Sequence, residues 1–441
     1  MSDEWWSVTF CFRVLFFAGC FMTTHHSPLT THHLAIAATL NLADAGARSW
    51  DVIVVGAGPA GSLAARQSAR HGASVLLVDK ACFPRAKVCG ACLNLQALST
   101  LAAVGLGGLV ERCGAIPLAS MKLAVSGAQA SVSLPGKALS RAVFDAALVD
   151  AAVVAGAHFL PETHAYLAPV VGPTRTLVLR HKGHESRACG RVVLGADGLG
   201  GRLLAGDADH RTVVAADSRL GAGVITKDYP AFFGRGTVYM ACGKGGYVGL
   251  VRIEDGRLNI AASLDAAFVK QTRGLGQAAA AILRVAGFPP IDGLEILGWH
   301  GTPLLTRHVL YPAADRVFLL GDAASYVEPF SGEGMAWALA SAVAVAPFAL
   351  RACRDWNPSL VRKWSMCYRH TIIRRQRVCR AAAKVLRQPN LVRLIVGALT
   401  HFPVLAAPVV RYVNYAGLWR GFNNAGTHDG GLVGKGGSAG A

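Results

Sequence analysis

The segment that most restricts the fold is WDVIVVGAGPAGSLAARQSARHGASVLLVDK, residues 50–80. Asp51 to Val55 reads as a short buried strand, Ser62 to His71 as a helix, and Ala73 to Val78 as a second strand ending at Asp79. Between the first strand and the helix, Gly56, Gly58 and Gly61 form G-x-G-x-x-G, with Pro59 and Ala60 inside the turn. In such a βαβ unit the first glycine makes the tight turn, the second lets backbone approach a pyrophosphate, and the third lets helix and strand pack closely. The helix N-terminus then offers free N–H groups to the phosphates. Asp79 stands 18 residues after Gly61, with Lys80 beside it, where a carboxylate can accept from ribose hydroxyls. The unit predicts dinucleotide binding without choosing between FAD and NAD.

Composition narrows the rest. The 441 residues are 52% apolar and 16% charged, enough for a large core and two to three domains. Lys and Arg outnumber Asp and Glu by 44 to 26, and the excess gathers near the C-terminus. From Arg351 to Arg420 the basic residues face one acid, Asp355, with apolar residues interleaved at helical spacing. That pattern suits peripheral contact with an acidic bilayer, and equally a solvated basic helix face. Nucleic acid is not expected as a partner, since no recognition motif accompanies the charge. Eleven scattered cysteines predict a reducing, cytoplasmic location and no metal site. The apolar run VTFCFRVLFFAGCFM is too short for a span and follows Asp3 and Glu4. Residues 1–49 are therefore read as a poorly structured extension, with real translation starting near Met22 or later as one explanation.

Three later segments bear on the cofactor. In LSRAVFDAALVDAAVVAGAHF, Arg141 sits on a helix ending at Gly156; RVVLGADGLGGRLL carries Asp197-Gly198 after a strand; DRVFLLGDAASYVEPFSGEGMAWAL carries Gly321-Asp322 after another and a turn from Pro329 to Gly334 opening an Ala-rich helix. An acid at a strand's carboxyl end can hold a polyol hydroxyl. The N–H groups of Gly332, Glu333, Gly334 and Met335 at a helix start can face partial negative charge on a flavin edge.

With the G-x-G-x-x-G unit, these D-G and G-D signatures resemble the flavin-dependent group that includes aromatic hydroxylases and geranylgeranyl reductases, over about residues 50–345. The resemblance implies FAD as cofactor, with Asp322 toward the ribityl or pyrophosphate side and Arg141 toward the adenosine or pyrophosphate. NAD(P)H or another reductant would be the electron donor. Gly201 stands where relatives usually carry Ser, which bears on direct NAD(P)H use.

The expected fold class is α/β: a Rossmann-like FAD-binding domain, an antiparallel-sheet substrate domain and a C-terminal helical region. The boundaries are 50–110, 138–208 and 303–350 for the FAD domain, 111–137 and 209–302 for the sheet, 351–425 for the basic helices and 426–441 for a flexible tail. GTVYMACG, GGYVGLVRI and RLNIAASL read as strands walling a mostly apolar cavity, with Tyr247 and Arg252 as candidate substrate residues.

In FPRAKVCGACLN, residues 83–94, Cys89 and Cys92 form C-x-x-C. No second ligand pair of matching spacing supports zinc, and a thioredoxin-like dithiol belongs to a different fold context. In the geranylgeranyl reductases the matching segment carries one Cys-Gly running past the flavin. The resemblance thus makes Cys89 the candidate active-site residue, Gly90 the point of close approach, and Cys92 a packing residue. The expected activity is FAD-dependent reduction of carbon–carbon double bonds in a hydrophobic prenyl or lipid-like substrate. The alternatives are an FAD-dependent monooxygenase acting on an aromatic or polyketide substrate, and a non-catalytic or electron-relay flavoprotein.

Overall fold

A computed structural model of the chain describes residues 35–206, 210–330 and 332–414. The expectations for residues 1–34, including the start of translation, and for 415–441 lie outside the described residues.

Two eight-stranded sheets organise the molecule. In the first, Val317–Leu319, His184–Gly195, Ser49–Val55, Val75–Val78 and His158–Leu160 run parallel in that order, with Ala313–Ala314 antiparallel at one edge. Arg175–His181 pairs antiparallel with the first half of the long His184–Gly195 strand, and Thr163–Leu167 pairs antiparallel with Arg175–His181. Residues 52–55 and Val75–Val78 are apolar, rich in β-branched residues and buried, as a sheet covered on both faces requires. The helix Pro59–Arg70 starts directly after the glycine turn and packs against Arg141–Val154 on one side and Glu333–Arg354 on the other. Glu333–Arg354 is apolar and long enough to cross a bilayer, yet most of its apolar face is buried in this core.

The second sheet runs His300–Leu304, Leu220–Thr226, Leu258–Leu264, Gly246–Arg252, Thr237–Gly243, Ile116–Val125, Ala128–Ala138, Cys92–Asn94. Most neighbours are antiparallel, as the alternating segments predict. Thr237–Gly243 and Ile116–Val125 instead pair in parallel, Val238 opposite Met121, so the sheet is mixed. These two strands lie more than a hundred residues apart, and a crossover that long imposes no antiparallel turn. Cys92–Asn94, inside the segment assigned above to the FAD domain, joins this sheet through Ala128–Ala138.

Residues 35–49 correct the expectation of a poorly structured extension. Ile36 N–H donates to the Phe83 carbonyl, Thr39 Oγ1 accepts from Phe159 N–H at 2.7 Å, and Asn41 caps the helix Leu42–Ala47. The segment is held by backbone hydrogen bonds to the first sheet and by buried Leu40 and Ala45, contacts that a reading of local composition does not see.

The C-terminal helices close the fold. Trp364, on Ser359–Tyr368, is buried against Phe318 and donates from Nε1 to the Leu319 carbonyl, while the Tyr368 hydroxyl donates to the Gly321 carbonyl. Pro389–His401 lies across the second sheet, burying Val392 and Val396.

Candidate functional site

Register in the parallel sheet decides what meets at its edge. Val55 pairs with Val78 and with Gly195, and Gly195 pairs with Leu319, so four strands end level. The chain therefore delivers Gly56, Asp79, Asp197 and Asp322 to one edge, where open α/β sheets bind ligands. All four line a single cavity of about 420 Å³ that continues between the two sheets.

The glycine turn is tight. A Cβ at Gly61 would overlap the Gly56 carbonyl oxygen, and Gly56 itself has φ +102°. Gly58 caps the helix with no side-chain bond, leaving first-turn N–H groups free. Pro59 and Ala60 line the cavity here, whereas Gly61 and Gly321 lie behind its wall as close-packing positions. Asp79 is oriented by two backbone donors, Ala57 N–H at 2.6 Å and Ala81 N–H at 2.9 Å, and Lys80 borders the cavity next to it.

Positive charge gathers above the turn. A Cβ at Gly58 would lie 3.5 Å from Arg85 Nη2 and 3.7 Å from Arg141 Nη2. Arg141 pairs with buried Asp145 through Nε at 2.7 Å and Nη2 at 2.9 Å; that carboxylate holds the guanidinium charged against the cost of burial. Arg85 reaches Asp145 at 3.4 Å and Asp79 at 3.8 Å. Lys87 Nζ lies 3.2 Å from where a Cβ would sit on Gly198. Burial and then Arg141 pull the Lys87 pKa down, while Asp322 opposes them. Asp322, recessed with its open side on the cavity, is pushed up by burial and drawn back by Lys87 and Arg141.

Asp197 has a second task. Its carboxylate accepts from Arg202 N–H at 2.8 Å and Leu203 N–H at 3.2 Å. A Cβ at position 201 would run into that carboxylate, which explains Gly201 where the resembled pattern has Ser.

The FPRAKVCG loop forms the next wall. Asn259 Nδ2, from the second sheet, donates to the Cys89 carbonyl at 2.9 Å, and Val88 packs toward Gly223. Cys89 and Gly90 line the cavity, and a Cβ at Gly90 would meet open space. Cys92 is buried with its Sγ on the Gly90 carbonyl at 3.1 Å, and burial pushes its thiol up to about 12. Its own carbonyl lies 2.6 Å from where a Cβ would sit on Gly332, which has φ +87° and caps the helix Glu333–Arg354. Gly332, Gly334 and Met335 complete this side.

Beyond them the cavity turns apolar. Leu134, Val238, Met240, Leu250, Val251 and Leu305 line it, together with the phenols of Tyr247 and Tyr326. The Tyr247 hydroxyl donates to the Pro329 carbonyl at 2.9 Å, and burial keeps both phenols protonated.

Comparison with known proteins agrees with this geometry. Residues 51–84 match the sequence profile of the FAD dependent oxidoreductase family. The chain is 29% identical over 331 residues to digeranylgeranylglycerophospholipid reductase 1 of Methanopyrus kandleri, covering 70% of this chain and 83% of that protein. The chain is thus similar to FAD-dependent oxidoreductases and, along most of its length, to a reductase of a geranylgeranyl lipid. Among solved structures, a geranylgeranyl bacteriochlorophyll reductase-like protein of Thermoplasma acidophilum shares the fold with a TM-score of 0.65 at 18% identity, covering 86% of this chain and 99% of that one. The myxobacterial chondrochloren halogenase, an FAD-dependent halogenase, shares it with a TM-score of 0.62 at 20% identity, over 73% and 79% of the two chains.

The residues around the cavity fit FAD. The glycine cradle cannot accept a Cβ at Gly56 or Gly61, two guanidiniums face the turn where a pyrophosphate would lie, and Asp79 is fixed for a ribose. Asp322 and the Gly332–Met335 helix start would hold the ribityl chain and flavin edge. Arg252 is a correction. It does not line the cavity; its guanidinium lies 5.6 Å from the Tyr229 ring. Arg252 is the last residue of Gly246–Arg252 and turns its side chain to the Tyr229 ring, whereas Tyr247, Leu250 and Val251 line the cavity. Arg85, Lys87 and Tyr326 line the same cavity and are not among the residues expected from the sequence. Two cations in a loop directly after a dinucleotide unit were the available signal for the first two.

Proposed function

We propose that the protein reduces carbon–carbon double bonds of a prenyl or similarly lipid-like substrate. One observation carries the reading: the cavity that begins at the cofactor edge continues without a break into a wall of Leu134, Val238, Met240, Val251 and Leu305. The name of the Methanopyrus relative, a reductase of a geranylgeranyl lipid, supports the same substrate class.

When bound, FAD supplies the two-electron step to one carbon of the double bond. The chain's residues bind, orient and exclude water. Arg85 and Arg141 hold the cofactor's phosphates, and the FPRAKVCG loop presents Cys89 at the cavity wall. Tyr326 keeps a proton on Oη beside the reacting region, while Tyr247 is committed to the Pro329 carbonyl and fixes the loop before the helix. The apolar wall packs the substrate chain and leaves few sites for ordered water.

Anaerobic titration of the reduced holoprotein tests the proposal. Prenylated compounds should reoxidise the flavin without oxygen, and simple aromatic compounds should not. Reoxidation that needs oxygen and an aromatic compound would support hydroxylation instead, and no substrate-linked reoxidation under either condition would leave an electron relay.

A further inference from the structure

The described C-terminal segment has an unusual surface. From Trp356 to Asn414 it carries eleven Lys or Arg and no Asp or Glu. Arg374, Arg377, Arg380, Lys384, Arg393 and Arg411 are exposed. Exposed large apolar side chains are concentrated in the same segment. On Pro389–His401, Leu391, Leu394 and Ile395 fall at i, i+3, i+4 spacing and are exposed, Leu394 by 71%, while Val392 and Val396 are buried. The chain then turns through Pro403–Ala406 into Ala407–Asn414, and exposes Phe402 by 62%, Val404, Leu405 by 57%, Val409 and Tyr412. Exposed apolar side chains gathered in one segment in this way mark an interaction site.

We propose that this face docks on an anionic lipid bilayer, with the apolar side chains entering the headgroup boundary and the surrounding cations held by acidic lipid. The charge selects the occupant. A second copy of the chain would bring the same unbroken positive surface against itself, whereas anionic headgroups neutralise it. Apolar insertion and charge attraction together are what a reversible surface anchor requires.

The position of the face also gives the docking a consequence. The helix Pro389–His401 buries Val392 and Val396 in a cluster with Leu134, Val238, Met240 and Tyr247, four residues that line the cavity. One helix therefore has a bilayer on one side and the substrate wall on the other, a short route for an apolar substrate dissolved in lipid. The docking itself stands apart from the substrate reading, because it is measured without substrate.

Cosedimentation of the full-length holoprotein with vesicles tests it. Wild type should bind vesicles of phosphatidylcholine with one third phosphatidylglycerol, and fail to bind pure phosphatidylcholine. The triple variant L394Q/F402S/L405Q, which changes no charge, should weaken binding at least about tenfold while retaining its flavin absorbance. Should that variant not fold, R393Q/R411Q, with all apolar residues kept, should weaken binding to the anionic vesicles about tenfold. Absence of wild-type binding at low salt overturns the proposal. Undiminished binding by the triple variant also overturns it, since attraction of a chain of formal charge +18 would then suffice. A wild-type dimer that the triple variant disperses would assign the face to a second copy.

Discussion

Asp322 concentrates the tension of the site. Burial raises its pKa, because the charged form is the one that loses water in the cofactor-free protein. A raised folded-state pKa means a contribution present below the ordinary carboxylate pKa and lost as pH rises through the raised value. Asp322→Asn should therefore leave the apoprotein's melting temperature unchanged near pH 3.5, and raise it by a few degrees at neutral pH, read by calorimetry. The same variant should bind FAD more weakly, because the amide accepts a ribityl hydroxyl less strongly than a carboxylate. Cys89 carries a different expectation. Cys89→Ala should keep flavin content and lower turnover about tenfold, while Cys92→Ala should act on stability, since its buried thiol bonds only its own loop. Asp79 and Asp322 were legible because each follows a strand end, and Cys89 through the resemblance of its loop. Tyr326 was not, because its place on the wall depends on the second sheet folding over it. Arg252 misled because both faces of its strand are apolar, and alternation had no polar side to mark it.

Between elements, a buried ion network joins the second sheet, the loop before Glu333–Arg354 and the C-terminal helices. Arg219, 2% exposed at its side chain, lies 3.5 Å from Glu328, 1% exposed. Ser263 Oγ donates to Glu328 at 3.1 Å, and Arg387 reaches Glu328 at 3.5 Å and Asp265 at 3.3 Å. Burial raises the Glu328 pKa, with Arg219 first among the groups that restrain it. Arg219→Met would leave Glu328, whose charge burial already disfavours, without the first of the cations that restrain it. It should destabilise the protein by about 3 kcal/mol at neutral pH in urea unfolding. Because Glu328 precedes Pro329, whose carbonyl holds Tyr247, the loss should also reduce flavin retention. The βαβ unit and the three strands of the second sheet could be read locally, since short apolar runs bounded by glycine specify them. The parallel pairing of Thr237–Gly243 with Ile116–Val125, and the docking of residues 35–49, rest on partners far along the chain.

At the scale of the molecule, two sheets with different tasks meet along one cavity. The parallel sheet brings strand ends and charge, the mixed sheet brings an apolar wall, and the C-terminal helices lock both from behind through Trp364, Tyr368 and Val392. That division was visible in the sequence as a change of pattern near residue 209. What passed unseen was how the wall and the basic helix Pro389–His401 share one apolar cluster, since this requires the register of the second sheet. The proposed reduction of a lipid-like double bond is read from the mass of the product formed when the reduced holoprotein meets a prenylated lipid under strict exclusion of oxygen. The expected product is heavier by two hydrogen atoms per double bond and forms in step with flavin reoxidation. A product that appears only in air and carries an added oxygen atom would contradict it.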